Sequence, residues 1–225
     1  MNLRPKSEYV TSRNLSSKTG RWVSAIRPYL RPYRAETFPF YPENAALILV
    51  DAQKYFFNHG SPAFLPAAPA ILDNLAALKK AFSDRGCPVV WTRQASSAGD
   101  QTGMMGRWWK SILLEGDPLA EIVDQLRPDR PDSVVTKSRY SAFHETDLER
   151  RLRAWGIDRI VVAGVLTHLC CESTARDAFQ RDFEVFIVPD ATASRSEELH
   201  LGSLKALADG FARPLTTGEI LAFFE

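Results

Sequence analysis

"RIVVAGVLTHLCCESTARDAF", Arg159 to Phe179, runs from a continuous apolar stretch through a short turn into helical spacing. The stretch Arg159–Gly164 lacks the polar alternation of a half-exposed strand. It reads as a strand buried on both faces, the mark of a parallel sheet covered by helices on two sides. The segment is then one strand–turn–helix unit, and the fold depends on whether its neighbours repeat it.

They do. "AALILVDA" (Ala45–Ala52) is a strand of the same kind, followed by a helix with Ile71, Leu72, Leu75, Leu78 and Phe82 on one stripe and a stop at Gly86. "PVVWTR" (Pro88–Arg93), "SVVTK" (Ser133–Lys137) and "EVFIVPDA" (Glu184–Ala191) are the second, third and fifth strands, and a short sixth falls near Arg213–Leu215. Asp117 and Pro118 read as the N-cap and first residue of a helix over "LAEIVDQL". Thr146 with Glu149, and Thr216 with Glu219, form capping boxes for "DLERRLRAWG" and the closing "ILAFFE"; a further helix spans Glu197 to Asp209. Strands and helices in alternation imply right-handed crossovers. The predicted fold is a three-layer, doubly wound α/β domain with a six-stranded, mostly parallel sheet.

Composition sets the outer limits. At 225 residues, 45% hydrophobic and 24% charged, the chain suits one domain with a substantial core. A net charge of +1 gives no reason to expect nucleic acid, and no apolar run nears the roughly 20 residues of a membrane span. Three cysteines without a C-x-x-C pair argue against a disulfide framework and a structural zinc site. Cys170 and Cys171 read as reduced thiols of a cytoplasmic protein. Residues 1–40 hold eight Lys/Arg against Glu8 and Glu36, without the apolar centre of a secretory signal. "RPYLRPY" bars a long helix there. The segment reads as a basic N-terminal arm, extended over the body or a neighbouring subunit, ahead of a domain at 41–225.

In such a sheet the functional groups gather beyond the carboxyl ends of the strands. Asp51 closes the first strand, Lys137 the third, and Cys170 follows the fourth after a turn. Each alone has an ordinary reading: a helix cap, a solvated strand end, a small buried apolar side chain. Together they form a chemical set. An ammonium and a helix N-terminus favour a thiolate, and a carboxylate accepts the thiol proton.

"LILVDAQKYF", "TKSRYSAF" and "GVLTHLCCESTARDAF" together resemble the signatures of the isochorismatase-like hydrolase superfamily, across about residues 45 to 225. The resemblance implies a six-stranded doubly wound sheet assembled as a homo-oligomer, dimer or tetramer. In the cysteine-hydrolase members it implies an Asp–Lys–Cys triad, which maps onto Asp51, Lys137 and Cys170. Cys171 lies one residue on, about 100° around the helix, and faces packing. The resemblance also implies a cis peptide between Val165 and Leu166, with the N–H groups of Leu166 and Cys170 as an oxyanion hole.

Two subgroups compete. "TKSRYSAFHETDL" and "DATASRSEELHLGSLKALA" are similar to the true isochorismatases, vinyl ether hydrolases that use the aspartate as acid without a thiol; Gln94 matches a substrate-contacting glutamine of that subgroup. Those enzymes commonly carry glycine where Cys170 stands and tyrosine where Leu166 stands. The thiol favours cleavage of an amide or carbamoyl C–N bond of a small molecule through a Cys170 thioester, with Asp51 as general base and acid and Lys137 stabilising charge. A catalytically silent binding or scaffold member is the remaining alternative. Nicotinamidases share the triad but hold a metal with histidines near the second strand, where "VVWTRQASSAGD" has none. His168 reads as a turn residue, and His59, His144 and His200 as surface or satisfied polar positions, so no metal and no cofactor are expected. The segment 96–117 reads as a lid, with Trp108 or Trp109 walling the substrate pocket, Arg107 meeting a carboxylate, and Phe57 beside Phe56 on the opposite wall.

Overall fold

In the computed structural model, which describes residues 6–30, 39–97, 103–109, 112–129 and 133–225, the apolar runs become parallel strands. These are β1 (Ala45–Val50), β2 (Val89–Gln94), β3 (Val134–Lys137), β4 (Arg159–Val165), β5 (Glu184–Ala193) and β6 (Arg213–Pro214). Their order is β3-β2-β1-β4-β5-β6, with every pair parallel. The chain therefore winds outward from β1 to β3, then returns to lay β4 on the other side of β1. That reversal makes the carboxyl ends of β1 and β4 the switch point of the sheet, the place where folds of this kind bind ligands. All of β1 and all of β4 except Arg159 are buried, as the uninterrupted apolar runs require.

The described helices are α1 (Leu15–Ile26), α2 (Lys54–Phe57), α3 (Leu72–Asp84), α4 (Gly103–Trp108), α5 (Leu148–Ala154), α6 (Glu172–Gln180), α7 (Glu197–Gly210) and α8 (Thr217–Leu221). The stripe of α3 buries Leu75, Leu78 and Phe82. Thr216 and Glu219 close the capping box of α8. No helix among the described residues is long and apolar enough to cross a membrane.

Three local expectations are corrected. The stretch after Asp117 forms two single 3-10 turns, Pro118–Ala120 and Asp124–Leu126, instead of a helix. Asp117 does cap the first turn. The carbonyls of Ala120 and Glu121, however, accept from the Gln53 side chain and the Lys54 N–H, and the Val123 N–H donates to Ala52. Backbone groups committed to the segment after β1 are not free for an i→i+4 ladder. At α5 the capping box does not close: the helix begins after Asp147, Thr146 Oγ1 accepts from the Leu148 N–H while donating to the Ala142 carbonyl, and Glu149 pairs with Arg181. Among its described residues the basic arm is helical over Leu15–Ile26 instead of extended, and Trp22 and Ile26 of this α1 enter the core at 1% exposure each. Its basic residues mask an amphipathic helix that ends where Pro28 stands.

Gly164 on β4 pairs with Val50 at the end of β1. Its φ is +120°, and a Cβ there would lie 2.1 Å from the Val50 carbonyl oxygen. Gly164→Ala is therefore expected to lose about 2–4 kcal/mol of stability through strain and forced strand separation. Urea unfolding with an unchanged m-value checks it.

Candidate active site

Asp51 is the first residue beyond β1 and is fully buried. Its φ of +48° is left-handed, a conformation costing an L-residue roughly 1–2 kcal/mol. Two hydrogen bonds hold it there: Thr92 Oγ1 donates to Oδ1 at 2.6 Å and accepts from the Asp51 N–H at 3.1 Å. Thr92 lies on β2, beside the end of β1, so the neighbouring strand aims the carboxylate.

Lys137 ends β3, two strands away, and reaches over the end of β2 with its side chain wholly buried. Its Nζ lies 2.8 Å from Asp51 Oδ2, 3.4 Å from Cys170 Sγ, and 3.0 Å from both Gln94 Oε1 and the Arg139 carbonyl. Four acceptors thus face an ammonium with three protons. Burial alone pushes the lysine pKa down, but the charge of Asp51 and the contact with Cys170 outweigh it and hold the ammonium above its ordinary value.

Cys170 arrives from the other side of β1. β4 leads through a cis Val165–Leu166 peptide into a π-helical turn, Thr167–Cys171, which continues into α6. The Leu166 carbonyl accepts from the N–H groups of Leu169 and Cys171, drawing the turn back over the strand end. Cys170 is 5% exposed, and the charge of Asp51 also acts on its thiol. The expected resting thiolate is corrected here. Burial pushes the Cys170 thiol up, further than Lys137 draws it down, because that ammonium is already paired with Asp51. The Asp51–Lys137 ion pair thus stands beside a thiol whose burial disfavours the anion. Cys171 is fully buried and pushed up by burial as well, so it faces packing.

The structure therefore brings together Asp51, Lys137, Cys170 and Gln94. Two further residues escaped the sequence reading. Thr92 is a buried hydroxyl in an apolar strand, and Gln53 is a fully buried amide whose Oε1 accepts from the Gln94 N–H while Nε2 donates to the Gln94 and Ala120 carbonyls. For Thr92 the signal was a polar residue inside an apolar strand, and for Gln53 its place two residues after Asp51 in "LILVDAQKYF".

The candidate pocket walls are more scattered. Phe57 is buried in the core, and Phe56 packs edge-on to Tyr55. Trp109 donates its indole N–H to Tyr140 at 2.7 Å, whereas Trp108 on α4 is 72% exposed and Arg107 is exposed. Positions 98–102 and 110–111 of the proposed lid lie outside the described residues. Among the histidines, His59 packs on Phe64, His144 is exposed beside Glu145, His168 bonds Ser194, and His200 is fully buried on Thr167. The three cysteines are free, and no metal-ligating cluster occurs among the described residues.

A family model described as "Isochorismatase domain" matches residues 45–219. Enterobactin synthase component B of Escherichia coli (strain K12) is 35% identical over 191 residues, covering 84% of this chain and 67% of that protein. Nicotinamidase 3 of Arabidopsis thaliana is 37% identical over 171 residues, covering 75% of this chain and 82% of that protein. A nicotinamidase is thus among the relatives, although that subgroup was set aside on the sequence. A solved cysteine hydrolase from Pseudomonas syringae pv. phaseolicola 1448A superposes with a TM-score of 0.79 at 29% identity, covering 83% of this chain and 95% of that one.

Proposed function

This chain belongs to the isochorismatase-like hydrolase superfamily, and from that premise we propose that it is a cysteine hydrolase that cleaves the C–N bond of a small amide or carbamoyl compound. The observation that carries the reading is Cys170 Sγ at 3.4 Å from Lys137 Nζ, itself 2.8 Å from Asp51. Asp51 takes the thiol proton as the sulfur attacks the carbonyl carbon, so no free thiolate has to accumulate in a buried site. The N–H groups of Leu166 and Cys170 stabilise the oxyanion. Asp51 then gives the proton to the departing nitrogen, which leaves a thioester. Water, deprotonated by Asp51, attacks the thioester; the acid departs and the thiol is restored. Lys137 keeps the charge of the carboxylate offset through both halves and stays positive itself.

Vinyl ether hydrolysis is the second reading, favoured by the place of Gln94 on Lys137 Nζ. It needs no sulfur, and it leaves the Cys170 thiol beside Lys137 without a part in the chemistry.

Nicotinamide, other simple amides, N-carbamoyl amino acids and isochorismate, each followed for turnover, separate the two readings. Quenched samples are mapped by mass spectrometry. Ammonia or amine release together with an acyl adduct on the Cys170 peptide is the expected result. Turnover of isochorismate alone, with no adduct, overturns the C–N reading.

A further inference from the structure

The buried His200 and the amphipathic arm have no part in the chemistry above, yet they meet behind the nucleophile. His200 Nδ1 lies 2.9 Å from Thr167 Oγ1, and Ser203 Oγ donates to the Thr167 carbonyl at 3.1 Å. Both α7 residues therefore grip the first residue of the turn that carries Cys170. Burial holds the His200 pKa down to about 3, so the ring is neutral and serves as a fixed polar partner instead of a proton switch.

The arm closes over that ring. The Trp22 and His200 ring centroids are 4.5 Å apart, edge to face, and those of Tyr9 and His200 are 5.8 Å apart. Trp22 Nε1 and Lys18 Nζ both bond the Glu197 carboxylate in the first turn of α7. Tyr9 OH accepts from the Ser194 N–H at 2.9 Å, and Ser194 Oγ bonds His168 inside the same catalytic turn. On the other flank Lys6 Nζ donates to the Phe64 carbonyl at 2.8 Å, in the loop that follows Asp51 and α2. One segment thus touches α7, the strand end beside the Cys170 turn and the loop after α2.

We propose that the N-terminal arm and His200 act as a clamp that positions the nucleophile: Tyr9 and Trp22 hold His200 against Thr167, and Thr167 fixes the turn that sets Cys170 beside Asp51 and Lys137. Tyr9, Trp22, Thr167 and His200 are positioning residues, none touching the reacting atoms. The clamp rests on the reading of Cys170 as nucleophile.

Iodoacetamide tests it without a substrate. The Cys170 sulfur displaces iodide from the reagent's carbon, the thiol proton passes to Asp51, and peptide mapping counts the label. With Asp51 as the acceptor, wild-type labelling at Cys170 is expected to stay within about threefold from pH 6.5 to 8.5. In folded Thr167→Val and Trp22→Ala proteins the sulfur loses that acceptor. The rate should then climb toward roughly tenfold per pH unit, as for an unassisted thiol below its pKa. Thr167→Ser, which keeps the hydroxyl, should restore the level profile. Tyr9→Phe, removing one hydroxyl, supplies the arm variant if Trp22→Ala does not fold. Level profiles in the valine and arm variants, with only a lowered melting temperature, overturn the clamp. A wild-type profile already climbing tenfold per unit, or no label at Cys170, instead removes the nucleophile reading and the clamp with it.

Discussion

Cys170→Ala is expected to lower amide or carbamoyl turnover by at least about 10³-fold, some 4 kcal/mol of transition-state stabilisation, with KM changed little. The alanine removes the only atom that forms the covalent intermediate while leaving Asp51, Lys137 and the turn in place. The packing cost is modest: the sulfur is 5% exposed and one heavy atom is deleted, so a stability loss of about 1 kcal/mol is expected. Cys171→Ala is the control, deleting a sulfur that faces packing, and its turnover should remain within about twofold. The same pair of variants decides between the chemistries. Protonation of an enol ether by Asp51 does not pass through sulfur, so an isochorismate-cleaving enzyme would keep its rate within about tenfold in Cys170→Ala. Initial rates on both substrate classes, with folded fractions from circular dichroism, check all of this.

The strand-level pattern was legible because burial on both faces writes itself into composition. Ala45–Val50 and Ile160–Val165 are unbroken apolar runs, and both are buried throughout. The candidate set was legible through strand ends: Asp51, Lys137 and Cys170 follow or close three different strands, and the strand order makes those ends neighbours. What failed was decided by partners distant in the chain. The 118–126 segment has helical residues, but its carbonyls are taken by Gln53 and Lys54. The arm's charge was visible, while the place for Trp22 exists only once α7 presents His200 and Glu197. Thr92 and Gln53 act across strands, Thr92 from a position a one-dimensional pattern treats as interior and Gln53 from the segment after β1. The protonation of Cys170 follows from how deeply the turn sits and from the ammonium being already paired, and neither is written in the motif.

Asp51→Asn carries the other large effect, and it acts on rate and stability together. Asparagine tolerates a φ of +48° better than most residues. Its Oδ1 still accepts from Thr92, so the backbone and the turn are left undisturbed. What disappears is the proton acceptor and the negative charge. Turnover is expected to fall by about 10³-fold or more, since the thiol, already pushed up by burial, has lost its base. Lys137 is left as an ammonium with its side chain wholly buried and its counter-charge gone, a change that typically costs about 3–5 kcal/mol. Lys137→Met strands the carboxylate in the same way and should cost a similar amount. The double variant removes both charges, so its stability loss should fall short of the sum of the two single losses by about 2 kcal/mol or more, while turnover stays at the level of Asp51→Asn. Additive losses in urea unfolding would mean that the 2.8 Å contact is not the interaction holding the centre together. Recovery of turnover in the double variant would mean that neither residue handles the proton.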